Sequence, residues 1–246
     1  MRYPAPAEGI FISRPNRFLA KVQIAGEEVL CHVKNTGRCR ELLRPGARLI
    51  LQHHDNPRRR TAYSVIGVYK GDVLVNMDSQ APNQVAYEWA LAGADGLFGE
   101  VVSVKREQTY GNSRFDLYLE CIGETGAASR IFMEVKGVTL EEDGVARFPD
   151  APTERGLKHV EELVSCGKEG YGACLLFVVQ MKGVVRLEPN WQTHRAFGEA
   201  LLRAKSAGVR ILAYDCLVTT DSLTLCKSLP VLLKNEQEYG RITYPV

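Results

Sequence analysis

The fold is decided by two short stretches, SRFDLYL at residues 113–119 and FMEVKGV at residues 132–138. Side chains alternate between the two faces of a β-strand, so Asp116 points away from its apolar neighbours in the first stretch. In the second stretch, Glu134 and Lys136 share one face, while the apolar residues around them take the other. If the two strands pair, two carboxylates and one ammonium group converge on a small patch.

That patch holds the groups that metal-assisted phosphodiester hydrolysis needs. Mg²⁺ is held by one or two carboxylates together with water and substrate phosphates. A nearby lysine orients the attacking water or stabilises developing negative charge. Asp116 and Glu134 both interrupt apolar strands, where an unpaired carboxylate is costly. A Glu-x-Lys pair is also common on a solvated strand face, so the residues alone leave both interpretations open.

The overall composition is that of an ordinary globular protein. Of the 246 residues, 45% are hydrophobic and 24% are charged, as in typical globular domains. No apolar run approaches the roughly 18 residues of a membrane span. The first residues, MRYPAP, lack the apolar segment of a secretory signal, so we expect a cytoplasmic protein without a membrane partner. A transporter or sugar-metabolising enzyme is disfavoured, since no phosphate-cradling glycine loop or dinucleotide-binding fingerprint occurs.

The cysteines give no indication of a zinc site. None of the seven forms a Cys-x-x-Cys pair, and most have apolar neighbours, which predicts buried, reduced thiols. They lie at residues 31, 39, 121, 166, 174, 216 and 226.

Positive charge is concentrated in the first third of the chain. Residues 1–80 contain 13 Lys and Arg against 7 Asp and Glu, whereas the remainder contains 18 against 22. Short alternating stretches predict five strands and one short helix in this part, which is typical of an OB-like barrel. The predicted strands lie at residues 18–24, 29–33, 47–53, 63–69 and 73–77, and the helix at 38–43. A basic barrel beside a carboxylate site suits a polyanionic ligand, although such a modest surplus also fits an evenly solvated surface.

Several basic residues of the barrel are candidates for contacts with a DNA backbone. They are Arg14, Arg17, Lys34, Arg38, Arg40, Arg58, Arg59 and Arg60. Tyr63 and Tyr69 are candidates for base stacking, as is Phe18. Because an alternating strand usually buries its aromatic residues, we predict that Phe18 lies in the core.

The second part of the chain changes from hairpins to a mixture of helices and strands. Apolar periodicity predicts a helix, three strands, a helix, a strand, a helix and a strand, with Thr153 as the N-cap of the second helix. These elements lie at residues 83–97, 101–110, 113–119, 132–138, 154–165, 173–181, 191–207 and 209–214. We therefore predict an OB-like domain over residues 1–80 and an α/β domain with a mixed sheet over residues 81–246.

This element order, with Asp116 on the second strand and Glu134 and Lys136 on the third, resembles the PD-(D/E)xK nuclease superfamily. Shorter blocks make the resemblance more specific, and they resemble the sugar fermentation stimulation protein A (SfsA) family over almost the whole chain. The blocks are PNRF at 15–18, NTGR at 35–38, PGA at 45–47, SRFD at 113–116, EVKGVTL at 134–140, FPDA at 148–151, and TERG at 153–156 with His159. Phe115 replaces the proline that names the superfamily motif.

The resemblance implies an OB-like domain followed by a nuclease-like domain, non-specific DNA binding, and a regulatory role in sugar metabolism, especially that of maltose. It also implies that Asp116 and Glu134 bind Mg²⁺ or Mn²⁺ with the Val135 carbonyl as a third ligand, and that Lys136 is catalytic. Superfamily members often add an acidic ligand from the first helix, where Glu88 is a candidate, although a solvated glutamate is the alternative.

Arg155 and His159 lie four residues apart and therefore share one face of the second helix. They are candidates for holding a phosphate, and an exposed helix face is the alternative.

Three hypotheses for the function follow. The first is a DNA-binding protein with an intact divalent-metal nuclease site, for which single-stranded and structured DNA are candidates and the strand preference stays open. The second is a non-enzymatic DNA-binding regulator on a nuclease scaffold, and the third is an RNA- or nucleotide-processing enzyme that uses the same site. Many nuclease-like folds act as dimers, so a homodimer is one candidate for the oligomeric state, which the sequence leaves open, with residues 235–246 as one place for its contact.

Overall fold

The N-terminal part of the chain forms a closed five-stranded barrel. The computed structural model describes residues 1–35 and 37–233. The barrel strands are β1 (Pro6–Asn16), β2 (Leu19–Ile24), β3 (Glu27–Val33), β4 (Arg48–His53) and β5 (Tyr63–Lys70), and β6 (Val73–Asn76) extends the sheet beside β5. The strand order is β3-β2-β1-β4-β5, and a parallel pairing of β3 with β5 closes the barrel. This topology confirms the predicted OB-like fold.

Alternation fills the barrel, because every second side chain of a strand points inward. Ala20 and Val22 on β2 are fully buried. The prediction for Phe18 is wrong: its side chain is 44% exposed, because Phe18 lies in the turn before β2 begins. Strand β1 was not predicted, since its proline and glycine residues obscure the alternation.

The predicted helix at residues 38–43 is also wrong, because the segment makes only a single turn. The Leu43 N–H donates to the Cys39 carbonyl at 2.9 Å, and the chain then leaves through Pro45 and Gly46, which end any helix.

The second part of the chain is built on a mixed six-stranded sheet. Its strands are β7 (Glu100–Tyr110), β8 (Ser113–Ile122), β9 (Ala128–Val138), β12 (Gly172–Val179), β14 (Arg210–Val218) and β15 (Leu223–Ser228). They follow the order β15-β14-β12-β9-β8-β7, in which β9, β12 and β14 run parallel. A smaller sheet of β10 (Glu141–Glu142), β11 (Val145–Phe148) and β13 (Arg186–Pro189) lies beside it and was not predicted.

Helices cover both faces of the large sheet. On one face, α1 (Ala81–Leu91) buries Val85 and Trp89 against the sheet. On the other face lie α2 (Glu154–Lys168) and α3 (Arg195–Ser206). The predicted N-cap is confirmed, since the Thr153 hydroxyl accepts a hydrogen bond from the Gly156 N–H at 3.0 Å. Because both faces are covered, β9 is apolar on both of its sides, which makes its charged residues exceptional.

The barrel and the α/β layer meet through a buried polar junction. Gln180, just after β12, donates its side-chain amide to Asn76 Oδ1 at 2.8 Å, and its carbonyl accepts from the Asn76 N–H at 2.9 Å. Asn76 in turn donates to the Tyr3 hydroxyl at 3.0 Å. One apolar cluster runs across both parts and includes Val75 and Phe177.

Two further sequence predictions concern the surroundings of the protein. Across residues 1–35 and 37–233, no helix combines the length and the apolar character needed to cross a membrane. The cysteines are free thiols, and all are buried except Cys226. The segment 235–246, proposed as a place for an oligomer contact, lies outside the described residues.

Candidate functional site

The two predicted carboxylates lie where β8 and β9 begin to separate. Leu117 pairs with Met133 as the last residue pair of this ladder, and Asp116 and Glu134 come next. There the Val135 N–H donates to Asp116 Oδ2 at 2.7 Å instead of to a backbone carbonyl. The N–H and C=O of one strand residue point to the same edge, so the Val135 carbonyl lies on the Asp116 side of β9.

Lys136 and His159 converge on the same oxygen of Glu134. Lys136 Nζ lies 2.6 Å from Glu134 Oε1, and His159 Nδ1, from helix α2, contacts this oxygen closely. Arg155 Nε donates to His159 Nε2 at 3.5 Å, which leaves the imidazole proton on Nδ1 for Glu134. Glu134 is only 3% exposed, so the alternation predicted for β9 delivers its carboxylate into the interior.

The two carboxylates have opposite electrostatic environments. Burial, and then the charge of Glu134, raise the pKa of Asp116 to about 6, and hydrogen bonds from Val135 and Asn83 oppose the shift. Burial also raises the pKa of Glu134, but His159 and Lys136 outweigh it and the net pKa lies below the ordinary value. Glu134 therefore ionises before Asp116, and below about pH 6 a proton on Asp116 relieves the repulsion between the two carboxyl groups.

Helix α1 contributes Asn83, and not Glu88, to this cluster. Asn83 Nδ2 donates to Asp116 Oδ1 at 2.6 Å. Glu88 instead binds the N-terminal amine of Met1 at 2.6 Å and accepts from Gln84 at 2.7 Å, and its side chain is 43% exposed. Asn83 was missed because an amide at the start of a helix carries no charge signature, and only the packing of α1 on the sheet brings it to Asp116.

The residues present fit a divalent cation. Glu134 Oε2 is buried and has no hydrogen-bond partner, so a buried lone pair is left for a ligand. Asp116, Glu134 and the Val135 carbonyl would supply oxygen ligands of the kind that Mg²⁺ or Mn²⁺ prefers. Within the described ranges, no three His, Cys, Asp or Glu side chains form a metal-binding cluster, so water and substrate would complete the coordination.

Two basic residues proposed for DNA have internal roles. Arg14 donates to the backbone carbonyls of Arg17, Asn35, Gly37 and Arg38 at 2.7–2.9 Å. Lys34 Nζ lies 2.8 Å from Asp78 Oδ2, which is buried at the domain junction. Both side chains are therefore engaged within the protein, which weakens the case for either as a phosphate contact.

The remaining basic candidates lie on the surface. Arg17, Arg38, Arg40, Arg58, Arg59, Arg60 and Arg155 are all exposed. Arg59 is anchored to Ser64 Oγ at 3.0 Å, and the guanidinium of Arg17 lies over the Phe18 ring. These side chains stay candidates for contacts with a polyanion.

Two cavities lie at the domain junction. One, of about 710 Å³, is lined by Lys34, Asn83 and Arg106 among others. The second, of about 440 Å³, includes Arg38 and Gly137 in its lining. Neither lining includes Asp116, Glu134 or Lys136; the links to the cluster are Asn83, which contacts Asp116, and Gly137, which follows Lys136.

The architecture defines a class of α+β proteins in which an OB-like barrel precedes a mixed sheet with a carboxylate cluster. Residues 12–77 match the family profile described as SfsA N-terminal OB domain, and residues 80–222 match that described as Sugar fermentation stimulation protein RE domain. The chain belongs to the sugar fermentation stimulation protein (SfsA) family.

Individual relatives agree over nearly the full length. A sugar fermentation stimulation protein homolog of Clostridium beijerinckii is 53% identical, covering 95% of this chain and 100% of the relative. One from Desulfitobacterium hafniense is 56% identical, covering 91% and 94%. The structure of Pyrococcus furiosus SfsA in complex with Ca²⁺ superposes with a TM-score of 0.81 at 26% identity, covering 94% of this chain and 98% of that one.

Proposed function

We propose that this protein binds DNA and hydrolyses phosphodiester bonds with a divalent metal ion. The observation that carries the proposal is the incomplete neutralisation of the Asp116–Glu134 pair. Lys136 and His159 bind only one oxygen of Glu134, the other is buried without a partner, and the pKa of Asp116 is raised to about 6. Such a site attracts a hard cation.

Each residue of the cluster has a distinct part in this proposal. Asp116, Glu134 and the Val135 carbonyl would hold Mg²⁺ or Mn²⁺, which would supply the positive charge that polarises a phosphodiester and acidifies a water. Lys136 places a positive charge beside the carboxylates, where it stabilises charge that develops on the phosphate. His159 fixes the orientation of Glu134 through Oε1 and so leaves Oε2 for the ion.

Arg155 is the residue best placed to hold a substrate phosphate next to the cluster. It is exposed, and its Nε contacts the ring of His159 at 3.5 Å. Its two terminal nitrogens can form a bidentate contact with phosphate oxygens. Arg155 is therefore the phosphate contact in this proposal. His159, the other candidate on this helix face, has its ring buried against Glu134.

A relative supports the cation part of the proposal. Pyrococcus furiosus SfsA is described in complex with Ca²⁺, and Ca²⁺ takes the same carboxylate and carbonyl oxygen ligands as Mg²⁺.

The exposed arginines of the barrel support the DNA part of the proposal, and the affinity for DNA should therefore fall steeply with salt. A role in sugar metabolism would act through this DNA binding. The homodimer stays an untested prediction.

A regulator without catalytic activity is the second candidate. It is favoured by the internal contacts of Lys136 and His159, which occupy one Glu134 oxygen within the chain itself. In this candidate the cluster only stabilises the fold, and DNA binding is independent of metal.

Cleavage of labelled single-stranded, duplex and branched DNA, of RNA, and of small phosphodiesters, with Mg²⁺ or Mn²⁺, tests the proposal. We expect cleavage of DNA that is lost in Asp116→Ala and Lys136→Ala, while Glu88→Gln, the matched acidic control on α1, keeps it. DNA affinity in the presence of chelator should be unchanged in all three variants.

DNA binding without cleavage of any substrate would exclude the enzyme and leave the regulator. Cleavage of RNA or small phosphodiesters alone would move the activity to the third class considered above.

A further inference from the structure

A fixed aromatic side chain lies on the barrel surface in the β1–β2 turn. Phe18 is 44% exposed. Its N–H donates to Asn16 Oδ1 at 2.9 Å, and its carbonyl accepts from the Val33 N–H at 2.7 Å. The Arg17 guanidinium lies 4.8 Å from the ring centroid. The ring is thus positioned by its backbone and by Arg17, but the barrel core does not use it.

Arg14 joins this turn to the loop that follows β3. Its guanidinium donates to the carbonyl of Arg17 in the turn, and also to carbonyls in the loop, those of Asn35, Gly37 and Arg38. A charged donor with four carbonyl acceptors is a strong connection. The Phe18 turn and this loop are therefore held as one unit.

The loop forms one wall of the 440 Å³ cavity, which also reaches the C-terminal end of β9. Arg38 lines the barrel side of the cavity, while Arg147 and Gly137 line the other side. Gly137 directly follows Lys136 in β9. The cavity thus lies between the loop that is joined to the Phe18 turn and the end of β9 that follows Lys136, with Arg38 and Arg147 in its lining.

The cluster itself is recessed. Glu134 is 3% exposed and the Lys136 side chain 15% exposed. A duplex keeps its bases paired inside a stiff rod, whereas a single strand is flexible and offers unpaired bases for stacking. An aromatic ring beside basic residues on an OB barrel binds such strands by stacking, with little dependence on sequence.

From these observations we infer that the protein takes single-stranded nucleic acid, with one base stacked on Phe18 and the following backbone led past Arg38 to the cluster. The inference rests on the proposed function, because it names the form of substrate for that site. The stacking contact itself is independent of catalysis and is measurable without it.

The test measures binding of a fluorescent oligothymidylate and of a blunt hairpin duplex, with Ca²⁺ in place of Mg²⁺ and with Glu134→Gln in parallel. Phe18→Ala should weaken binding of the single strand about tenfold or more and change duplex binding little. Phe18→Trp should retain the affinity, and Phe18→Leu, which keeps bulk without a π face, should lose it. Val73→Ala, at another exposed apolar position of the barrel sheet (38% exposed), is the control.

The inference would be overturned by single-strand binding of Phe18→Ala equal to that of the unaltered protein, or by an equal loss of binding for strand and duplex. No binding of oligothymidylate by the unaltered protein would overturn it as well. The proposed function fails separately, when no substrate is cleaved with Mg²⁺ or Mn²⁺ even though the Phe18 variants still discriminate strand from duplex.

Discussion

Asp215 and the Asp116–Glu134 pair are buried carboxylate sites on the same sheet, and they differ in how their charge is balanced. Asp215 on β14 is held through both oxygens by Lys182, at 3.0 and 2.9 Å. The other site has two carboxylates and one lysine, Lys136, which contacts Glu134 alone. The Asp116–Glu134 site therefore has less compensating positive charge than the Asp215 site, as the proposed binding of a cation requires.

The largest effect on stability is expected when Asp215 loses its partner Lys182. Lys182→Met leaves Asp215, which is 4% exposed, without its cation, and should lower the free energy of unfolding by about 2 kcal/mol. The loss is smaller than for a fully buried pair because the Lys182 side chain is 39% exposed. Urea unfolding should give the same loss with and without Mg²⁺.

The double variant Lys182→Met/Asp215→Asn is the control for this prediction. It should recover part of the lost stability, since it removes the unpaired charge. A loss that depends on Mg²⁺ would contradict the view that Asp215 is a purely structural site.

A smaller change in stability, of opposite sign, is expected at the Asp116–Glu134 pair. The pKa of Asp116 is raised from 3.8 to about 6, so this carboxyl lowers stability as the pH rises through that interval and it ionises in the fold. Without metal, Asp116→Asn should therefore be more stable than the unaltered protein by about 1 kcal/mol near pH 7.5, with no gain near pH 4.

Adding a divalent ion tests the same pair in a second way. Mg²⁺ should raise the melting temperature of the unaltered protein and of Lys182→Met, but not that of Asp116→Asn, because a ligand that binds only the folded state stabilises it. An equal shift in Asp116→Asn would place the cation elsewhere.

The smallest effect is expected at Glu88, the acidic residue proposed from sequence that lies outside the cluster. Glu88→Gln removes a partly exposed ion pair with the N-terminal amine and should cost less than about 0.5 kcal/mol. The stabilisation by Mg²⁺ should be unchanged in calorimetry. If it is lost, Glu88 contributes to the ion site and the comparison with Asp215 needs revision.

The sequence predicted those parts of the fold and the site that follow from local periodicity. Alternation in β8 and β9 placed Asp116, Glu134 and Lys136 together, because strand pairing needs only the sequence pattern and a neighbouring strand. The face shared by Arg155 and His159 followed from helical spacing, and the contact of His159 with Glu134 agrees with that face being turned to the cluster.

The parts that were missed depend on tertiary contacts. The parallel pairing of β11 with β13 joins segments about 40 residues apart, and no local pattern signals it. Arg14 has the same charge as the arginines around it, but four backbone carbonyls of the barrel capture its guanidinium. Phe18 continues the alternating pattern of β2 in the sequence, but it lies in the turn before that strand begins, so its side chain is exposed.

The polar junction formed by Asn76, Gln180 and Tyr3 has a mechanical consequence. Because these groups are buried and bonded to one another across the two parts of the chain, swinging the barrel away would leave several donors and acceptors without partners. The barrel and the sheet therefore keep a constant separation. A nucleic-acid strand held at the barrel and cut at the carboxylate cluster would be shortened by a fixed number of nucleotides.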